Sequence, residues 1–180
     1  MTISVDEFCQ SFPAFARGTD HSHISALLLA LEPTQFTAGQ VLCEENNPSN
    51  TLYLLLEGRL DVSINIKGQT RSLGKLEKGS CVGESTMLDN APAPATVTAD
   101  TDCTVLVLSE ENFRNLDKQD PAASTSLLRS LSHLMSDRVR AATDLSLPLF
   151  DSSDVPSDPA VLIKMLGNAY ATLYGLGEKP

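Results

Sequence analysis

Tryptophan is absent from this sequence and aromatics make up only 5% of it, six Phe and three Tyr among 180 residues. A core drawn from such a chain is expected to rely on Leu, Val, Ile and Ala rather than on stacked rings. Positive charge is scarce as well: 13 Lys and Arg stand against 23 Asp and Glu, giving a net charge of −10 and a pI near 4.6. Nucleic-acid binders gather Lys and Arg to displace counterions from phosphates, so DNA and RNA are not expected partners. The longest nearly uncharged apolar run, Ile24–Leu31, falls far short of the roughly 20 residues that cross a bilayer, so no membrane span is read. Asp6 and Glu7 occupy the place where a secretory leader needs positive charge followed by a greasy run, and export is not signalled. Cys9, Cys43, Cys81 and Cys103 form no C-x-x-C pair. That pattern fits reduced thiols in a cytoplasmic protein and offers no ligand set for an iron–sulfur cluster.

What is present suffices for one globular core: 42% of the residues are hydrophobic and the mean hydropathy is −0.05. This length and composition fit one domain plus appendages. In the first thirty residues the clearer helical pattern starts at Asp20, a cap for a segment whose Ile24, Leu27, Leu28 and Leu31 share one helix face. From Thr34 to Leu108 the texture changes to short β-type runs punctuated by Gly, Asn and Pro, the mark of an all-β barrel or sandwich. Within it Leu60, Val62, Ile64 and Ile66 alternate with Arg59, Asp61, Ser63 and Asn65, which predicts a strand with one wet face. Residues 67–69 then read as a tight hairpin into 70–76.

The β pattern breaks over 79–95, a stretch rich in Gly, Pro and small polar residues, and resumes at Thr96–Ala99 and Cys103–Leu108. A break inside a regular barrel is a candidate binding loop. Ser109, followed by Glu110, Glu111 and Asn112, opens a helix. Pro121 starts a longer one running to about Thr143, with Leu127, Leu128, Leu131, Leu134, Met135 and Val139 along one side. A Pro/Ser/Asp-rich linker follows, and a last amphipathic segment over 159–174 carries Val161, Leu162, Met165, Leu166, Ala169 and Leu173. The expected organisation is a helical segment over 1–33, a barrel over 34–118, a long helix over 119–145, a linker over 146–158, and a helix with its tail over 159–180.

Several motifs stand in series: F-x-x-G-Q-V-L at 36–42, L-Y-L-L-L-E-G at 52–58, E-K-G at 77–79, V-G-E-S at 82–85, P-A-P-A-T-V-T-A at 92–99 and L-V-L at 106–108. Through them the stretch Phe36 to Leu116 resembles the cyclic nucleotide-binding domain family, the effector module of catabolite-activator-type regulators, kinase regulatory subunits and gated channels. The resemblance implies an eight-stranded jelly-roll barrel flanked by helices, with a phosphate-binding cassette in the interrupted loop. It points to Gly83, Glu84, Ser85, Thr86, Ala93, Ala95 and Thr96 as ligand-binding candidates, with Glu84 accepting a ribose hydroxyl. A glycine permits close backbone approach, and amides at the start of a short helix suit an anion. The plainer alternative is that Gly83 and Glu84 merely start a helix, Glu84 facing its positive end. Gly39, Gly58 and Gly79 are expected to serve turns, and Tyr53 the barrel wall.

The family's cassette carries an arginine for the cyclic phosphate; here that place holds Ala93, followed by Pro94, which has no N–H. A charge-assisted hydrogen bond contributes about 1.5–3 kcal/mol, so its loss weakens a cyclic nucleotide about tenfold to a hundredfold. Arg59 and Arg71 are the conceivable substitutes. No cofactor beyond a cyclic nucleotide is implied. His21 and His23 lack the downstream ligands of a metal-binding jelly roll, so no metal site is expected. The long helix, with two neighbouring apolar tracks, is expected to form a homodimer through 121–143, and Arg138 and Arg140 near its end suit the helix dipole. After Thr143 only Lys164 and Lys179 are basic, so no helix-turn-helix reader is expected. The expected function is a stand-alone, non-enzymatic regulatory module that binds a small nucleotide-like or anionic ligand and signals through its C-terminal helices to a partner protein. The alternative is a ligand-free barrel acting as a protein-interaction scaffold.

Overall fold

The structure, a computed structural model, describes residues 3–17, 19–146, 159–174 and 176. Helix α1 (Val5–Ser11) opens on a capping box: the Ser4 hydroxyl accepts the Glu7 N–H at 3.2 Å, and the Glu7 carboxylate accepts the Ser4 N–H at 2.9 Å. Helix α2 (Pro13–Ala16) follows at once, and Phe8, Phe12 and Phe15 bury their rings together with centroids 5.2 to 6.4 Å apart. The rings meet tilted or edge-on rather than stacked, and half of the six phenylalanines are concentrated in this amino-terminal corner, which average composition does not reveal. Helix α3 (His21–Ala30) buries Ile24 and Leu27, with Leu31 just beyond its end. Asp20 stands at its N-cap without a side-chain capping bond.

Eight strands follow: β1 (Glu32–Phe36), β2 (Val41–Cys43), β3 (Leu52–Glu57), β4 (Leu60–Ile66), β5 (Gln69–Leu76), β6 (Cys81–Val82), β7 (Thr96–Ala99) and β8 (Cys103–Leu108). They form two four-stranded antiparallel sheets in the orders β1-β8-β3-β6 and β2-β7-β4-β5. That is the jelly-roll arrangement the resemblance implies. Strand β3 is apolar on both faces because it has two cores to fill. Leu52, Leu54 and Leu56 meet the flanking helices, whereas Tyr53 and Leu55 face the other sheet. The hairpin after β4 turns on Lys67 and Gly68, both at positive φ. The alternation expected along β4 holds through Ile64, which packs with Leu60 and Val62 in the cluster between the sheets while Asn65 is exposed. The bulge of this pair lies in β5, where Leu73 is the extra residue between Ser72 and Gly74 opposite Ser63 and Val62; Ser63 is buried and Ile66, at the end of β4, is half exposed.

Helix α5 (Glu110–Gln119) is capped by Ser109, whose hydroxyl accepts the Asn112 N–H at 3.1 Å. Helix α6 (Pro121–Ser146) starts after Asp120, which accepts the Ala123 N–H at 3.0 Å. Its Ala123, Leu127 and Leu131 complete the core shared with α1, α3, β3 and β8, and Leu134 packs against it. Helix α7 (Pro159–Leu173) lies along α6, so part of the wide apolar surface of α6 is covered within the chain. On α7 Ala169 and Thr172 are buried while Val161, Leu166 and Leu173 stay exposed. The side chain of Leu162, the linker residues 147–158 and the tail 177–180 lie outside the described residues.

Candidate ligand-binding cassette

Strand β6 pairs with β3 only through Tyr53–Val82 and Leu54–Cys81, and then the chain leaves the sheet. Gly83 makes the turn at φ 86°, where a Cβ would collide with the Thr51 carbonyl. A residue with a side chain is excluded there on both counts. Helix α4 (Glu84–Asp89) begins immediately. The Thr86 hydroxyl reaches the Ser49 carbonyl and lies 3.0 Å from the Gly83 carbonyl, so it ties α4 to the loop before β3. Across the cassette, Ala93 donates its N–H to Asn47 at 2.9 Å and accepts the Asn46 N–H at 2.8 Å. Its backbone groups are engaged by the protein itself.

These segments enclose a cavity of about 40 Å³. A water needs roughly 10–15 Å³ of such space, so the hollow takes a few waters, far less than the roughly 300–1,000 Å³ of ligand pockets. Gly83, Glu84, Ser85, Thr86, Ala93 and Ala95 all line it, together with Cys43 and Tyr174. Thr96 does not, since its hydroxyl accepts the Glu45 N–H at 3.0 Å. Burial pushes the Cys43 thiol up to about 11 and raises that of Cys81 as well; neither is an activated nucleophile. Tyr53 is wall: it is buried and donates its hydroxyl to the Leu42 carbonyl at 2.8 Å.

The cassette's cationic partner comes from a helix more than fifty residues further along the chain. Arg138 of α6 forms an ion pair with Glu84 Oε1 through Nη1 and donates from Nη2 to the Cys81 carbonyl at 2.9 Å. The two side chains are only 10% and 7% exposed. Glu84 Oε2 is buried and has no hydrogen-bond partner. Assigning Arg138 to the helix dipole is thus corrected, and a periodicity contained the clue: 127, 131, 134 and 138 share one face of α6, so a guanidinium continues the buried leucine row. Neither conceivable substitute reaches the cavity. Arg59 pairs with Asp100 at 2.6 Å, and Arg71 donates to Gln69 at 3.1 Å. Among the described residues no group of His, Cys, Asp and Glu comes together to hold a metal, and no described helix is long and apolar enough to cross a membrane.

Two four-stranded sheets with helices on either side and a glycine-led turn helix interrupting one sheet define a jelly-roll domain with an inserted cassette. Residues 33–120 match the family described as the cyclic nucleotide-binding domain, and the chain belongs to it. It is 31% identical over 110 residues to the potassium channel KOR1 of Oryza sativa subsp. japonica, covering 61% of this chain and 13% of the channel. A cyclic nucleotide-binding domain from Methylobacillus flagellatus superposes with a TM-score of 0.69 at 22% identity, over 80% of this chain and 84% of that one. The regulatory subunit of a cAMP-independent protein kinase A from Trypanosoma cruzi, bound to guanosine, gives a TM-score of 0.56 at 22% identity, over 68% and 43%. The chain thus spans a small part of the channel it matches.

Proposed function

We propose that this chain is a non-enzymatic regulatory module whose cassette binds a small ribose-bearing ligand and whose C-terminal helices pass the binding state to a partner protein. The observation that carries the reading is Glu84 Oε2, a buried acceptor without a donor. Buried polar atoms are nearly always paired, and this carboxylate oxygen facing a small hollow has room for one more donor, which a ribose hydroxyl supplies. Cyclic nucleotides, from which the family is named, and the guanosine held by the T. cruzi subunit share that group. The other oxygen of the same carboxylate is bonded to α6 through Arg138. A ligand that engages Glu84 therefore changes what holds α6, which makes the two states of the helix differ in ligand affinity. The same proposal includes a cytoplasmic homodimer through 121–143, using the side of α6 on which Val139 remains exposed.

Calorimetry with cyclic AMP, cyclic GMP and nucleosides is expected to show binding that disappears in Glu84→Ala, with circular dichroism confirming that the variant folds. Heat that ignores the substitution would remove the cassette from the account. The smallness of the cavity favours a second reading, a closed barrel that serves as an interaction scaffold. A thermal-shift screen separates the two, since a ligand at a hundredfold over its Kd stabilises the native state by about 2.7 kcal/mol. No shift with any nucleotide or nucleoside selects the scaffold.

A further inference from the structure

We infer that the cassette takes an uncharged nucleoside in preference to the corresponding cyclic phosphate, and that the ligand enters where Tyr174 now lies. The inference rests on the ligand reading above and names its chemical class. None of the described residues lining the cavity is a Lys, Arg or His, and Glu84 already places a carboxylate there. Arg138 is the counter-charge of that carboxylate and is further held by the Cys81 carbonyl. A phosphate would add a second negative charge to a buried site with no cation left to meet it. Where the anion would sit, the wall offers the buried side chains of Ala93 and Ala95 and the N–H-less Pro94, and the Ala93 amide is spent on Asn47. The buried side-chain atom left without a partner is opposite in sign to a phosphate's need: Glu84 Oε2 lacks a donor, which a ribose hydroxyl supplies without added charge.

The present occupant has the same chemistry. Tyr174, just beyond α7, lines the cavity with an uncharged aromatic ring whose hydroxyl lies 3.4 Å from the Pro94 carbonyl. Leu176 packs on Gly74 of β5, and both Tyr174 and Leu176 join the apolar cluster between the sheets. The roughly 40 Å³ that remains is too little for a nucleoside, so binding must displace the tyrosine. The end of α7 thereby reports occupancy.

Two measurements on the full chain test this. Calorimetry compares adenosine with cyclic AMP and guanosine with cyclic GMP, in the native protein and in Tyr174→Ala. The nucleoside is expected to bind at least tenfold more tightly than its cyclic phosphate, and Tyr174→Ala to raise nucleoside affinity by a further tenfold. Because the chain has no tryptophan, Tyr174→Trp adds a single fluorophore whose emission is expected to move towards that of a solvent-exposed indole when nucleoside is added. Cyclic nucleotides that bind as tightly as nucleosides overturn the uncharged class while leaving the Glu84 reading intact. Nucleoside binding that leaves the indole emission of Tyr174→Trp unchanged overturns the displacement. No binding of either class to any of the three proteins ends this inference and the ligand reading together.

Discussion

Glu84 and Arg138 lie 54 positions apart in sequence and share one buried ion pair. Removing one partner of such a pair leaves an uncompensated charge in the interior, whereas removing both restores neutrality. Arg138→Met is therefore expected to lower the unfolding free energy in urea by about 3–5 kcal/mol, and Glu84→Met/Arg138→Met to cost less than the single change. A double variant as unstable as the sum of the two would contradict a paired role. At Cys43 burial raises the thiol from 9.0 to about 11. Its contribution to stability is complete below the unfolded value and is lost as pH rises towards the folded one. Alkylation at about pH 8, just below the ordinary thiol range, should accordingly leave Cys43 and Cys81 unmodified in the native protein and label both in urea. Asp100 behaves in the opposite sense: hydrogen bonds from Lys75 and Arg59 hold its carboxyl below the usual range. That stabilisation exists above pH 3.8 and vanishes as acid protonates the group, so the stability gap between the native protein and Asp100→Asn should close on acidification.

Among the elements, α4 depends on a backbone conformation that one residue type supplies. Gly83→Ala combines a strained positive φ with a collision against the Thr51 carbonyl. The change is expected to cost at least about 2 kcal/mol, read as a lowered Tm, and to loosen the Thr86 tie to the 46–51 loop. Local rules were enough to place the helices at Ser109, Pro121 and 159, and the hairpin at Lys67–Gly68, because caps and turns are decided by neighbouring residues. They were not enough for β5. Its register slips by one residue at Leu73 against a regular β4, which is a property of the pair and not of either strand. The phenylalanine corner escaped for a similar reason, since Phe8, Phe12 and Phe15 meet only across the break between two helices.

At the level of the whole molecule, α6 joins three surfaces: the amino-terminal helices, the cassette helix α4 and helix α7. Arg138 of α6 binds the cassette directly through Glu84. The exposed Val139 on this helix is where the proposed homodimer is tested. Sedimentation velocity is expected to show concentration-dependent association that Val139→Lys abolishes; a monomer at all concentrations would remove the dimer from the proposal. The motif series placed the barrel and put Gly83, Glu84, Ser85, Thr86, Ala93 and Ala95 around one hollow, as glycine turns and alternating strands are locally encoded. Thr96 fell outside because adjacent strand residues point to opposite faces. What the chain's order of residues determined was the jelly roll, its helices and the absence of an arginine at 93. Only tertiary structure decided that Arg138 pairs with Glu84 and that Tyr174 lines the cassette's cavity. Both contacts join segments far apart in sequence, and such meetings are fixed by how helices pack on the barrel rather than by any local pattern.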